Sequence, residues 1–133
     1  MLHLYLFHNT LDCQDALGMA SGKITNRQVT ASSEYSNHYA AKDGRLHTGA
    51  AWSADSNDAY QWLEIDLGVD YPTVTRVATQ GSGEFSEWVT EYKLQYSDDG
   101  GSFQYYIEKG QTTDKVGFTL FSKTIIQLLR NFR

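Results

Sequence analysis

The stretch Gln61-Trp-Leu-Glu-Ile-Asp-Leu67, closed by Gly68, decides the fold class. Apolar and polar side chains alternate along it. In an extended strand this period of two puts Leu63, Ile65 and Leu67 on one face and Trp62, Glu64 and Asp66 on the other. The same period continues outward. Within residues 88–97, Trp88, Tyr92, Leu94 and Tyr96 share one face. The Asp98-Asp99-Gly100-Gly101 cluster then predicts a turn, and Phe103, Tyr105 and Ile107 predict the return strand. Val116, Phe118 and Leu120 predict another. Residues 28–33 and 73–79 are short, β-branched segments that predict two more. Several short strands separated by Gly-rich turns predict an all-β sandwich or barrel. The tail departs from this pattern. Ile125, Leu128, Leu129 and Phe132 lie at helical spacing beside Lys123, Arg130 and Arg133, so a short amphipathic helix is expected there.

The chain has 133 residues, enough for one domain with one core. Aromatic residues make up 14%, which favours pleated, half-buried surfaces. The formal net charge is -5, and no basic stripe runs along the sequence, which argues against nucleic acid as a partner. The acidic balance also disfavours a purely electrostatic grip on anionic lipid. The Gly-x-Ser-x-Gly, His-Glu-x-x-His and phosphate-loop signatures are absent, so nothing suggests catalysis. An enzyme would have to draw on the Asp43, His47 and Asp58 neighbourhood. A lone cysteine, Cys13, has no partner within the chain for a disulfide. The opening Met1-Leu-His-Leu-Tyr-Leu-Phe-His8 is apolar but has neither a basic start nor a small-residue cleavage site, and residues 1–12 read as a leader of unknown role.

Taken in order, these segments resemble a known family. Leu17-Gly-Met19, Ser21-Gly22, Gln28-Val-Thr-Ala-Ser-Ser33, Arg45-Leu46, Ala51-Trp-Ser53, Gln61-Trp-Leu-Glu-Ile-Asp-Leu-Gly68, Val77-Ala-Thr-Gln-Gly81, Trp88-Val-Thr90 and Tyr96-Ser-Asp-Asp-Gly100 are similar to the coagulation factor 5/8 type C, or discoidin, domain. The resemblance implies an eight-stranded antiparallel β-sandwich, a distorted jelly-roll barrel of galactose-binding-like form, spanning residues 13–120. It implies a non-enzymatic extracellular or cell-surface adhesion module, part of a larger protein. Its loops would bind a carbohydrate or a protein, or alternatively a phosphatidylserine membrane. The family closes with a further strand and a cysteine that pairs with the one aligned to Cys13. Residues 121–133 do not resemble that closure. The expectation is therefore a truncated domain, and even a non-functional fragment, with its last strands missing or replaced by the helical tail.

Three loops hold the candidate ligand residues. Tyr35, His38 and Tyr39 fall where the family carries its first loop spike. Exposed aromatic rings there would stack on sugar faces or line a protein-binding site. In relatives that hold a peptide's terminal arginine, Tyr35 and Tyr39 match the aromatic walls and Asp58 the carboxylate that pairs with the guanidinium. Ser82 and Phe85 belong to the second spike, residues 81–87. Asp43 and Thr48 match a calcium loop found in carbohydrate-binding relatives, and calcium would take their oxygens together with backbone carbonyls. No other cofactor is expected. Trp52, Trp62 and Trp88 are expected to pack within the sheets.

Overall fold

A computed structural model describes residues 3–8, 16–68, 74–82, 87–89, 92–106 and 125–130. Seven strands occur among these residues: β1 (His3–His8), β2 (Val29–Ala31), β3 (Trp62–Asp66), β4 (Val74–Gln80), β5 (Tyr92–Ser97), β6 (Gln104–Tyr105) and β7 (Ile125–Arg130). They form two antiparallel layers. One is a two-stranded sheet, β1-β4, and the other a five-stranded sheet in the order β2-β3-β7-β5-β6. This is the all-β sandwich that the period-two pattern implies.

β3 behaves as its alternation requires. Leu63 and Ile65 are fully buried and Leu67 nearly so, while Asp66 is exposed and Trp62 and Glu64 are half-buried. Val74 and Val77 of β4 join the same buried cluster, together with Leu94 of β5, Met19, Ile24, Val29 and Trp52. The core thus lies between the layers, sealed by residues 17–29. Each large aliphatic side chain buried here contributes about 1.5–3 kcal/mol. A single helix-length apolar face would not serve, because the buried positions alternate along each strand.

Arg45 ties the segments outside the sheets together. It is 9% exposed. Its Nε donates to Lys42 O at 2.9 Å, Nη2 to Asn26 Oδ1 at 2.9 Å, and Nη1 to the carbonyl of Met19. Burial lowers its pKa, and Asp43 partly opposes that shift. Gly18 supports the same corner. Its φ is 114°, and a Cβ there would approach Lys23 Cβ to 2.5 Å, so only glycine fits.

The tail corrects the sequence reading. Residues 125–130 form a strand and no helix. β7 lies in the middle of the larger sheet, with Leu128 opposite both Leu63 of β3 and Leu94 of β5. A short apolar run has the same composition in a buried strand as in a buried helix, and its periodicity does not separate them. Two open neighbouring strands do, because a central strand satisfies its backbone groups on both sides. The expected gap in the sheet is therefore filled by β7, between β3 and β5. The leader also acquires a place: His3–His8 pairs with β4, from His3 opposite Gln80 to His8 opposite Val74. Cys13, Phe85 and the strand expected at residues 116–120 lie outside the described residues.

Candidate functional site

Two long loops leave the same end of the five-stranded sheet. Residues 32–61 connect β2 to β3, and Ser32 N donates to Trp62 O at 3.0 Å at their base. On the neighbouring strands Trp62 faces Leu129, and Arg130 faces Tyr92, the first residue of β5. The loop of residues 81–91 therefore enters the sheet at that end too. His47 N donates to Gln80 Oε1 at 3.4 Å, which links the first loop to the last residue of β4.

A polar network holds the first loop. Gln61, only 7% exposed, accepts from Ser32 Oγ at 2.7 Å and from Ser33 Oγ at 2.6 Å. Its amide nitrogen lies 3.0 Å from each Asp58 carboxylate oxygen and donates to them. Asp58 Oδ1 also accepts from Tyr60 N at 2.8 Å, a side-chain turn of the kind aspartate favours. Ser33 O accepts from the indole N–H of Trp52 at 2.9 Å, and Ser33 Oγ accepts from Asp55 N at 3.1 Å. Two backbone bonds, Tyr35 N to Ser53 O at 2.8 Å and Ser53 N to Tyr39 O at 3.1 Å, lay residues 35–39 beside Ser53. A hydrogen-bonded frame on buried Trp52 and Gln61 gives the loop a fixed shape.

Three aromatic rings at this end are exposed to solvent, two of them on that frame. Tyr35 is 64% exposed, Tyr60 83% and Trp88 59%. Tyr39 is half-buried and meets Tyr35 edge-on, with ring centroids 6.0 Å apart and planes at 62°. His38 is exposed beside them, its backbone N–H donating to Ser36 Oγ at 3.4 Å. Ser82 N donates to Glu87 O at 2.9 Å and closes the base of the second loop, next to Trp88. The structure thus brings Tyr35, His38 and Tyr39 into one stretch. Ser82 lies on the neighbouring loop of the same end, and Phe85 falls outside the described residues. Asp58 is a half-buried member of the first loop, both carboxylate oxygens engaged by the Gln61 amide.

Two aromatic residues escaped the sequence reading. Trp88 was expected to pack on the sheet with Tyr92 and Leu94, but β5 begins only at Tyr92 and Trp88 precedes it in the loop. Tyr60 went unnoticed, although the Asn57-Asp58 turn immediately before a strand was the available signal.

The calcium expectation meets a different arrangement. Asp43 Oδ2 accepts from Ala40 N at 3.2 Å and pairs with Lys42 Nζ at 3.0 Å, capping the 3-10 turn Ala41–Asp43. The Thr48 hydroxyl is turned to the carbonyls of Arg45 and Ala50, at 2.8 and 2.9 Å. These are the contacts of self-capped turns. Among the described residues, no three His, Cys, Asp or Glu side chains gather as a metal site. Nor, among them, is any helix long and apolar enough to cross a membrane.

The comparisons with known proteins agree with this architecture. The F5/8 type C domain model matches residues 28–130, a range that includes β7. Lactadherin of Sus scrofa is 38% identical over 116 residues, covering 78% of this chain and 28% of that protein. Coagulation factor V of Bos taurus is 38% identical over 113 residues, covering 78% of this chain and 5% of the relative. EGF-like repeat and discoidin I-like domain-containing protein 3 of Homo sapiens is 39% identical over 119 residues, covering 78% and 24%. The chain therefore spans less than a third of the length of each of these relatives. On the match over most of its length and these identities, the chain belongs to the F5/8 type C domain family, whose members are non-enzymatic binding modules.

Proposed function

We propose that this chain is an extracellular recognition module that holds a carbohydrate or protein ligand at the end of the sandwich formed by residues 32–61 and 81–91. The observation that carries this reading is the set of exposed rings: Tyr35 and Tyr60 on the hydrogen-bonded loop of residues 32–61, and Trp88 just before β5. Exposed aromatic faces at fixed positions suit stacking on sugar rings or on a partner's side chains, and rigid backbone reduces the entropy lost on binding. Tyr39, His38 and Ser82 add polar groups at the same end. Asp58 braces the loop through Gln61 and Tyr60. Several relatives carry EGF-like, CUB or LCCL modules in their names, which supports a place for the chain within a larger secreted or surface protein.

A glycan and protein-ligand array read alongside liposome sedimentation tests the reading. Binding to a glycan or protein that is lost in Tyr35→Ala and Trp88→Ala supports it. Tight, salt-insensitive binding to phosphatidylserine vesicles, with no glycan or protein bound, overturns it in favour of a membrane ligand. Acidic groups beside the rings argue against that outcome, because membrane readers of anionic lipid combine apolar tips with basic residues.

A further inference from the structure

β4 is anchored more firmly at its start than at its end. Val74 is fully buried and Val77 nearly so, which fixes the first half of the strand in the core. Ala78 and Gln80 are half-buried and Thr79 is exposed. Burial therefore fades toward Gln80, the residue from which the second loop departs. A side-chain hydrogen bond between Thr79 and Tyr92 ties this end to the larger sheet. The backbone ladder with β1 holds it as well: His3 stands opposite Gln80, Leu4 opposite Thr79 and Tyr5 opposite Ala78. Among the described residues, β1 is the one strand paired with β4. A backbone group that loses such a partner must turn to water, and a lightly buried strand end then frays.

The residues just beyond the ladder touch both ligand loops. Gly81 backs directly on Trp88, since a Cβ on Gly81 would come to 3.1 Å from both Trp88 Cβ and Glu87 O. Ser82 N donates to that same Glu87 carbonyl at 2.9 Å. Gln80 Oε1 accepts from His47 N at 3.4 Å. His47 has a φ of 59°, in the left-handed region that a non-glycine residue keeps only where its surroundings hold it, and Gln80 is part of those surroundings. Residues 80–82 thus carry contacts to the first loop, to the base of the second and to one exposed ring.

Building on the proposed function, we infer that β1 is a positioning strand for the ligand-bearing end: its ladder with β4 fixes residues 80–82, and these in turn set Trp88 and the base of the second loop. β1 lies before residue 28, where the match to the family model begins, so a segment outside the shared domain fits the ring-bearing end of this chain. Release of β1 acts as a conformational switch. It leaves the core around Leu63, Ile65 and Val74 in place and loosens one of the rings that grip the ligand.

Amide hydrogen exchange of the full chain, read by NMR together with the Trp88 indole resonance, tests this. Successive N–H groups of an antiparallel strand point alternately toward and away from a neighbour, so one of the Leu4 and Tyr5 amides is aimed at β4. Proline there removes a ladder bond, and proline at the other position is the control. Leu4→Pro and Tyr5→Pro are therefore compared, the ladder-breaking one being that whose amide is protected in the parent. In it, exchange at Ser82 should quicken about tenfold or more and the Trp88 resonance should move. The amide of Leu63, on a strand paired on both sides, should exchange at the parental rate. Gly81→Ala should move the same Trp88 resonance with the β1 amides still protected. Unchanged Ser82 and Trp88 in a chain whose β1 amides exchange freely overturns the inference. So does a Leu63 amide quickened by the same factor, which would make β1 a general support of the fold, and so does an unmoved Trp88 resonance in Gly81→Ala. The readout needs no ligand. An array on which the parent binds nothing, with Ser82 and Trp88 responding as expected, refutes the proposed function and leaves the role of the strand standing.

Discussion

Replacing Gln61 with leucine should unfasten the ligand-bearing loop. Leucine keeps much of the volume of this nearly buried side chain but removes four hydrogen bonds, two accepted from Ser32 and Ser33 and two donated to the Asp58 carboxylate. The two hydroxyls sit on partly exposed residues and re-form bonds with water, so their loss is small. The Asp58 carboxylate is half-buried and would keep only the Tyr60 N–H among these contacts. Bonds to a charged group contribute about 1.5–3 kcal/mol each, and a stranded partner adds to the loss. With solvent partly compensating, Gln61→Leu should cost about 2–4 kcal/mol. In a domain of this size that corresponds to a fall in thermal midpoint of about 8–15 °C. Circular dichroism melts give the midpoint, and limited proteolysis should show earlier cleavage within residues 32–61. Thr30→Ala, at an exposed position on the neighbouring strand, is the control and should move the midpoint by less than about 2 °C. A Gln61→Leu midpoint as close to the parent as that control would refute the view that this network frames the loop.

Three further outcomes follow from other parts of the fold. Gly18→Ala should lower stability by about 1–3 kcal/mol in urea unfolding, since a methyl group there meets Lys23 and the residue has a positive φ. Burial pushes the Glu64 carboxyl up, and nearby Asp66 adds to the shift. A raised folded value means the contribution of Glu64 is fully present below its unfolded pKa and is lost as pH rises through the folded one, so Glu64→Gln should raise the midpoint slightly at pH 7 and lose that advantage near pH 4. Asp99 behaves in the opposite way: the Ser102 and Gly101 backbone N–H groups and the Ser97 hydroxyl hold its carboxyl well below the usual range. Its contribution is present above the unfolded pKa and is lost as pH falls toward the depressed folded value, so the midpoints of parent and Asp99→Asn should begin to converge below about pH 4 and close only as pH approaches that folded value.

How much of this was legible in the sequence depended on whether the signal was local. β3 could be read from alternation alone, because Leu63, Ile65 and Leu67 carry their burial in their spacing. The Asp98-Asp99-Gly100-Gly101 turn could be read as well, since Asp99 caps it with its own side chain and Gly100 takes the positive φ. β7 could not. Ile125, Leu128 and Leu129 fit a helix as well as a strand, and only the open edges of β3 and β5, distant in sequence, choose between them. Trp88 continues the alternation of residues 92–97 in sequence, yet the strand starts only at Tyr92, so spacing alone misplaces it. Asp58 was read as a ligand for a guanidinium; its partner in the structure is Gln61, whose buried position follows from contacts with Ser32 and Ser33 nearly thirty residues away. Tyr35, His38 and Tyr39 were legible as a loop cluster, since polar and aromatic residues there lack any strand period.

The account rests on rings at one end of the sandwich gripping the ligand, and titration calorimetry of the Tyr35→Ala, Trp88→Ala double variant against the partner selected by array measures that directly. The predicted result is an affinity reduced about tenfold or more while the thermal midpoint stays within about 2 °C of the parent. An affinity equal to the parent's, in a variant that folds as well, would contradict it.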